Sequence, residues 1–323
     1  MGVISYFTGY RGATGFGSGA TAEKVAKGIS LESKVVIVTA TGATSGIGFE
    51  TARVLAKHGA HVVIPARKLQ NAEAAKSKIQ REFPNARVTV LELDLSSLKS
   101  VRKFVDDFNA LNLPLHILIN NAGMTANNFQ LSPDGLELDF ATNHMGPFLL
   151  TELLLDKMIQ TASQTGVQGR IVMVASEGHR YVPKGGIEFD KLNDKNSFQW
   201  ITSYGRSKLA NILHTRELAS RLKEKGANVT VNSLHPGTIK TNLGRDFNQT
   251  SAKLLLFLAS PLCKSIPQGA ATTMLLAVHP CMEGVSGKYY LDCNEADCTP
   301  HAKDMKLAAE LRTFSEEFIK SHP

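Results

Sequence analysis

No stretch of this sequence reaches the roughly 18 consecutive apolar residues that a membrane-crossing helix requires. The best apolar run, Leu254 to Leu262 (LLLFLASPL), is much shorter. It reads as a lid over an apolar site, a shallow peripheral membrane contact or plain core. Cysteine is also scarce. The four thiols, Cys263, Cys281, Cys293 and Cys298, match no zinc spacing and have no paired histidines. No metal site is expected, and the thiols read as buried or idle in a reducing compartment rather than as a disulfide frame. Basic runs are missing too. The net charge of +7 is scattered, with no interleaved basic and aromatic block, so no nucleic-acid surface is expected. The same basic balance suits an anionic, phosphate-bearing small ligand. Neither an internal repeat nor a low-complexity linker divides the chain.

What is present is an ordinary globular balance, 43% hydrophobic and 20% charged, in a chain long enough for a large core. The start carries two decoys. MGVISY resembles a myristoylation signal but has Tyr6 where Ser or Thr is needed. GFGSGA is glycine-rich with no strand pattern before it. Residues 1–30 are expected to form an irregular arm with a short helix near Thr21 to Lys27. With no acidic residue before Glu23 it is faintly transit-peptide-like, although Arg11 is its only arginine.

From Lys34 onward short β-branched runs alternate with longer helical patterns. Strands are expected at Lys34–Thr39, His61–Pro65, Arg87–Leu93, Leu115–Asn120, Arg170–Ala175, Asn228–Leu234 and Lys288–Leu291. Helices are expected at Ile47–His58, Leu69–Phe83, Leu98–Phe108, Pro133–Met145 running on toward Ala162, Ser203–Lys225, Gln268–Val278 and Asp304–Phe318. This alternation predicts an α/β protein: a single-domain doubly wound Rossmann fold, with a seven-stranded, mostly parallel sheet and helices on both faces. The domain would span 31–323, including a substrate loop at about 242–267 and a C-terminal helix.

Gly42, Gly46 and Gly48 fall at the first strand-to-helix junction. Glycines there permit a sharp turn and let a pyrophosphate approach the helix N-terminus, although any α/β protein can use a glycine turn. An acid after the second strand would favour NAD; here stand Arg67 and Lys68, which favour the 2′-phosphate of NADP(H) over two merely solvated charges. Asp94, ending the third strand, could accept from an adenine amino group or cap the next helix. In SYGRSKLAN, Tyr204 and Lys208 share a helix face. An ammonium beside a phenol lowers its pKa and fits it for acid–base work. Ser176 closes the fifth strand, where its hydroxyl could bond a substrate oxygen or serve as a turn residue. Asn143 is a polar residue in an apolar helix, suited to a kink before Pro147 or to holding a water near Lys208. NNAG (Asn120–Gly123) could floor the cofactor site, and Thr241 in PGTIKT could meet a carboxamide.

TGATSGIG, NNAG, NHMG, Ser176, YGRSK and HPGTIKT, in this order, resemble the short-chain dehydrogenase/reductases across roughly residues 33–295. SEGHR, FDKLND and SYGRSKLANILH resemble the retinol-dehydrogenase-like branch, and within it the plant chloroplast-translocon-associated group. The resemblance implies a tetrad of Asn143, Ser176, Tyr204 and Lys208. It implies NADP(H) contacts from Gly42, Thr44, Ser45, Gly46, Ile47, Gly48, Arg67, Lys68, Asp94, Leu95, Asn121, Ala122, Gly123, Tyr204, Lys208, Pro236, Gly237 and Thr241. The implied activity is hydride transfer between nicotinamide and a lipophilic carbonyl or alcohol, by a monomer or homodimer in the cytoplasm or at the chloroplast envelope. The alternative is an NADPH-sensing regulatory or interaction component, as in a chloroplast import complex. Two departures stand out: a long excursion between Ser176 and Tyr204, and an extra Ala40-Thr41 pair, around which the first strand is expected to slide or bulge. Phe198, Trp200 and the loop from Arg245 to Pro267, with Phe247 and Leu254 to Leu258, could supply apolar walls.

Overall fold

A computed structural model describes residues 11–39, 45–239 and 263–323. Its elements in chain order are α1 (Ala22–Ala26), β1 (Val35–Val38), α2 (Gly46–Lys57), β2 (His61–Ala66), α3 (Leu69–Glu82), β3 (Val88–Glu92), α4 (Leu98–Ala110), β4 (Ile117–Asn120) and α5 (Leu138–Phe140). A π-turn (Ala141–Met145) leads into α6 (Gly146–Thr165), followed by β5 (Gly169–Val174), α7 (Trp200–Glu224) and β6 (Val229–His235). The chain closes with α8 (Ile266–Gly269), α9 (Ala271–Val278), β7 (Tyr289–Leu291), β8 (Asn294–Glu295), α10 (Pro300–Lys303) and α11 (Met305–Ser321).

The strands form one sheet in the order β3-β2-β1-β4-β5-β6-β7-β8, parallel except for the last pair. It has eight strands where the sequence predicts seven. The addition, β8, is two residues long, too short to show any periodicity, and pairs antiparallel with β7. Both faces of the sheet are covered. In β1, Val35 and Ile37 enter one core with Phe104, Leu150 and Leu213, while Val36 and Val38 enter the other with Val54, Ile79 and Met274. Strand side chains alternate in direction, so an uninterrupted apolar strand needs a helical layer on each side. Each large aliphatic side chain so buried contributes about 1.5–3 kcal/mol.

The segment ahead of β1 packs into the second core through Ala22, Val25, Ala26 and Leu31. Thr21 caps α1, and Glu23 pairs with Arg53 and Lys57 of α2. Along β1 the ladder continues to Thr39, whose N–H donates to the Ile119 carbonyl (3.0 Å), with no bulge. Ala40, Thr41 and the rest of the expected adjustment lie outside the described residues, as does the Leu254–Leu262 run.

The helix expected from Pro133 starts five residues later. Gly135 takes a left-handed turn (φ 77°), and the Glu137 carboxylate caps α5 by accepting from the Asp139 N–H (3.0 Å) and the Phe140 N–H (2.9 Å). The chain then widens. Pro147 has no N–H to offer the carbonyl four residues back, and the Gly146 N–H instead reaches five residues back, to Ala141. That π-turn carries Asn143.

Candidate active site

The sheet order reverses between β1 and β4, and the two strand ends there are held by one side chain. The Thr39 hydroxyl accepts from the N–H groups of Asn121 and Ala122, both at 3.0 Å, and the Asn121 amide donates to the Thr39 carbonyl (3.0 Å). The residues predicted for the catalytic set converge at the adjoining strand ends. Asn143 is fully buried: its Oδ1 accepts from the Met124 N–H (2.7 Å), and its Nδ2 donates to the Met124 carbonyl (2.8 Å) and to Ser207 Oγ (2.9 Å). Ser176 begins a short turn, its Oγ accepting from the Gly178 N–H (3.0 Å). The Tyr204 phenol lies within hydrogen-bonding reach of Ser176. Lys208 Nζ donates to the Val174 carbonyl (3.1 Å) and sits 5.6 Å from the centre of the Tyr204 ring. Gly123 lies directly beside this ammonium: a Cβ there would be 2.9 Å from Lys208 Nζ and would push it aside.

Burial dominates the electrostatics. It lowers the Lys208 ammonium to about 8, against a smaller upward pull from Asp139. It raises the Tyr204 phenol, with the Ser176 bond pulling down and Asp139 pushing up. The sequence argument has the phenol depressed by Lys208; the protein groups alone act the other way, because desolvating a phenolate outweighs its neighbours.

The predicted cofactor residues are more dispersed. Gly46 opens α2 with φ 87°, a conformation that glycine adopts at no steric cost. Ser45 stands at the N-cap position in extended backbone, its side chain making no capping hydrogen bond, Ile47 is half-buried and Gly48 buried. Gly42, Thr44 and Thr241, with the substrate loop up to residue 262, lie outside the described residues. Arg67 and Lys68 follow β2, both exposed and without an ion pair among the described residues. Asp94 Oδ1 accepts from the Ser96 N–H (3.0 Å) and Oγ (2.7 Å), while Ser97 caps α4. Asp94 thus shapes the turn before that helix. Leu95 and Ala122 are buried, and Pro236 and Gly237 follow β6 half-buried. Beyond them, the Lys264 N–H bonds the Thr238 carbonyl (2.8 Å) and its side chain forms a buried pair with Asp292.

The excursion between Ser176 and Tyr204 docks rather than loops free. Ile187 and Leu192 are buried, and Phe189 packs on Phe314 of α11 with ring centres 4.9 Å apart. Asn193 accepts from the Glu137 N–H (2.8 Å) and donates to the Gly135 carbonyl (2.8 Å).

Two groups at the site escape the sequence motifs. Thr39 is one. The other is Asp139, fully buried, with Oδ1 accepting from the Ala126 N–H (2.8 Å). Burial and the Glu137 charge push its carboxyl up to about 8, against Lys208 and the Ala126 bond. A signal was available: Asp139 stands four residues before Asn143, the same spacing that flags Tyr204 and Lys208.

Sheet order, glycine turn and strand-end cluster make a doubly wound fold with the candidate site beside the topological switch point, the place where such folds bind dinucleotides. A family model described as short chain dehydrogenase matches residues 34–187. The short-chain dehydrogenase TIC 32 B, chloroplastic, of Brassica napus is 49% identical over 323 residues, covering 100% of both chains. Retinol dehydrogenase 14 of Homo sapiens is 41% identical over 304 residues, 90% of this chain and 87% of the relative. In fold, a crystal structure of a 3-oxoacyl (acyl-carrier-protein) reductase from Agrobacterium tumefaciens with NADP bound superposes with TM-score 0.62 at 21% identity, covering 80% of this chain and 93% of that one. The chain belongs to the short-chain dehydrogenase family of oxidoreductases.

Proposed function

We propose that the protein transfers a hydride between NADP(H) and the carbonyl or alcohol of a lipophilic small molecule, with Tyr204 as general acid or base. The observation that carries this reading is the meeting of Tyr204, Ser176, Lys208 and Asn143 at the strand ends beside the switch point. The residues present fit the cofactor. Gly46 opens a helix N-terminus to phosphate, Gly123 leaves space beside Lys208, and Arg67 and Lys68 stand free in solvent for a 2′-phosphate. The NADP bound in the reductase of similar fold supports the choice.

Bound nicotinamide would supply the hydride and, when oxidised, a positive charge near the phenol. The chain does the rest. Ser176 and Tyr204 bond the substrate oxygen; Tyr204 gives its proton to that oxygen in reduction and removes it in oxidation. Lys208 stabilises the phenolate that results. Asn143 holds Met124 and Ser207, tying the loop after β4 to the helix that bears Tyr204 and Lys208.

The test is NADPH consumption across a panel of lipophilic carbonyls by wild type and Tyr204→Phe. Turnover that survives the substitution unchanged rejects the proton donor. The similarity to a chloroplastic relative along the whole chain supports a chloroplast location and keeps a second reading in play, an NADPH-sensing regulatory component. That reading requires cofactor-dependent association with a partner and no turnover of any carbonyl in the panel.

A further inference from the structure

Lys264 and Asp292 form a buried ion pair that the proposed reaction does not use, each residue 5% exposed. Apolar side chains of similar volume would hold two segments together as well, so stability alone does not account for such a pair. Its place in the fold is more telling. Lys264 meets the turn after β6 in three ways. Its N–H donates to the Thr238 carbonyl (2.8 Å), and its backbone forms a parallel bridge with Ile239. Its side-chain stem lies against Gly237, where a Cβ would come within 2.6 Å of Lys264 Cδ.

Asp292 opens the two-residue turn between β7 and β8, with φ 53° there and 62° at Cys293. Asparagine enters such turns as readily as aspartate, so the turn does not call for a charge. The turn is itself anchored. The Cys293 N–H donates to Thr272 Oγ1 (3.1 Å), and the Cys293 carbonyl accepts from Thr14 Oγ1 (2.7 Å). At the start of β7 the Tyr289 hydroxyl donates to Glu177 (2.8 Å), in the turn that Ser176 begins. The β7 edge therefore holds the turns after the neighbouring strands β5 and β6. We infer that Lys264 and Asp292 are positioning residues for the nicotinamide end of the cofactor, fixing the turn after β6 relative to the turn that carries Ser176.

The inference rests on the NADP(H) reading above. Sheet order separates the two ends of the cofactor in that reading. Arg67 and Lys68 follow β2, while Ser176 and Gly237 follow β5 and β6, on the far side of β1 and β4. The pair acts on the second end alone.

The test uses that separation. Titration calorimetry compares NADPH with adenosine 2′,5′-bisphosphate, which carries the 2′-phosphate but no nicotinamide. Asp292→Asn keeps the turn and removes the charge. NADPH should bind about tenfold more weakly, with binding of the bisphosphate unchanged. Unchanged NADPH affinity, or a parallel loss for both compounds, overturns the inference. Lys264→Met combined with Asp292→Asn leaves no unpaired charge buried, and the same outcomes decide there if the single variant does not fold. Wild type that binds neither compound overturns both this inference and the cofactor reading. Failure of the Tyr204 reading shows separately, as carbonyl turnover that survives Tyr204→Phe.

Discussion

Two lysines mark the difference between the halves of the sheet. Lys68 stands in solvent at the end of β2, while Lys208 is 2% exposed beneath the end of β5. The first keeps its charge in water, where it attracts anions over roughly the Debye length and is weakened by salt. The second is stripped of water, so its charge is conditional and depends on Asp139 and burial. One half is suited to capturing phosphate. The other is suited to handling a proton, with Lys208 and Asn143 bonded to the Val174 and Met124 backbone.

The sharpest way to break this division is at Tyr204. Tyr204→Phe should lower carbonyl reduction by about 10²–10⁴-fold, measured by steady-state kinetics at saturating NADPH. Asn143→Ala attacks the scaffolding of the same half. It strips partners from the Met124 N–H and carbonyl, at a cost of about 1–3 kcal/mol for each buried group, visible as a lower melting temperature.

A third test uses His116, which enters the sheet just before β4 and accepts from the Val35 N–H (3.1 Å). Burial lowers it to about 4, with Lys34 pushing the same way. Its folded value lies below its unfolded value of about 6.5, so the unfolded chain takes up the proton first. Stability should therefore fall as pH drops from about 6.5 to about 4, by about 2 kcal/mol from this group after screening. His116→Asn, which keeps an acceptor, should flatten the dependence in a thermal melt series. The smallest effect belongs to the solvent half. Replacing Arg67 and Lys68 by alanine should weaken NADPH binding about tenfold and leave NADH binding unchanged, since exposed ion pairs contribute about 1 kcal/mol or less each.

The sheet and its helices were legible because β-branched runs such as Val35–Val38 and helical stripes such as Phe104 with Phe108 are local patterns. The residues proposed as the tetrad stand out in the sequence because Ser176 ends a strand, Tyr204 and Lys208 share a helix turn, and Asn143 is a polar residue in an apolar segment; the family resemblance joins them into one set. β8 was not, since two residues carry no pattern. Nor was the late start of α5, where Pro133 and the apolar Leu136 fit a helix but Gly135 and the Glu137 cap decide for a turn. Asp139 was missed for a different reason. An acid between two apolar residues reads as a surface position, and only tertiary packing of α7 and the loop after β4 buries it. The Lys264–Asp292 pair, 28 residues apart, is likewise a product of folding.

Thr39 gives these halves a common mechanics. Its one oxygen takes two N–H groups from the loop after β4, and the glycine-rich segment begins immediately beyond it in the chain. In the reaction proposed above, hydride and proton reach one carbonyl group together, and Thr39 is where the strand leading toward the glycine-rich segment is tied to the loop that flanks Lys208.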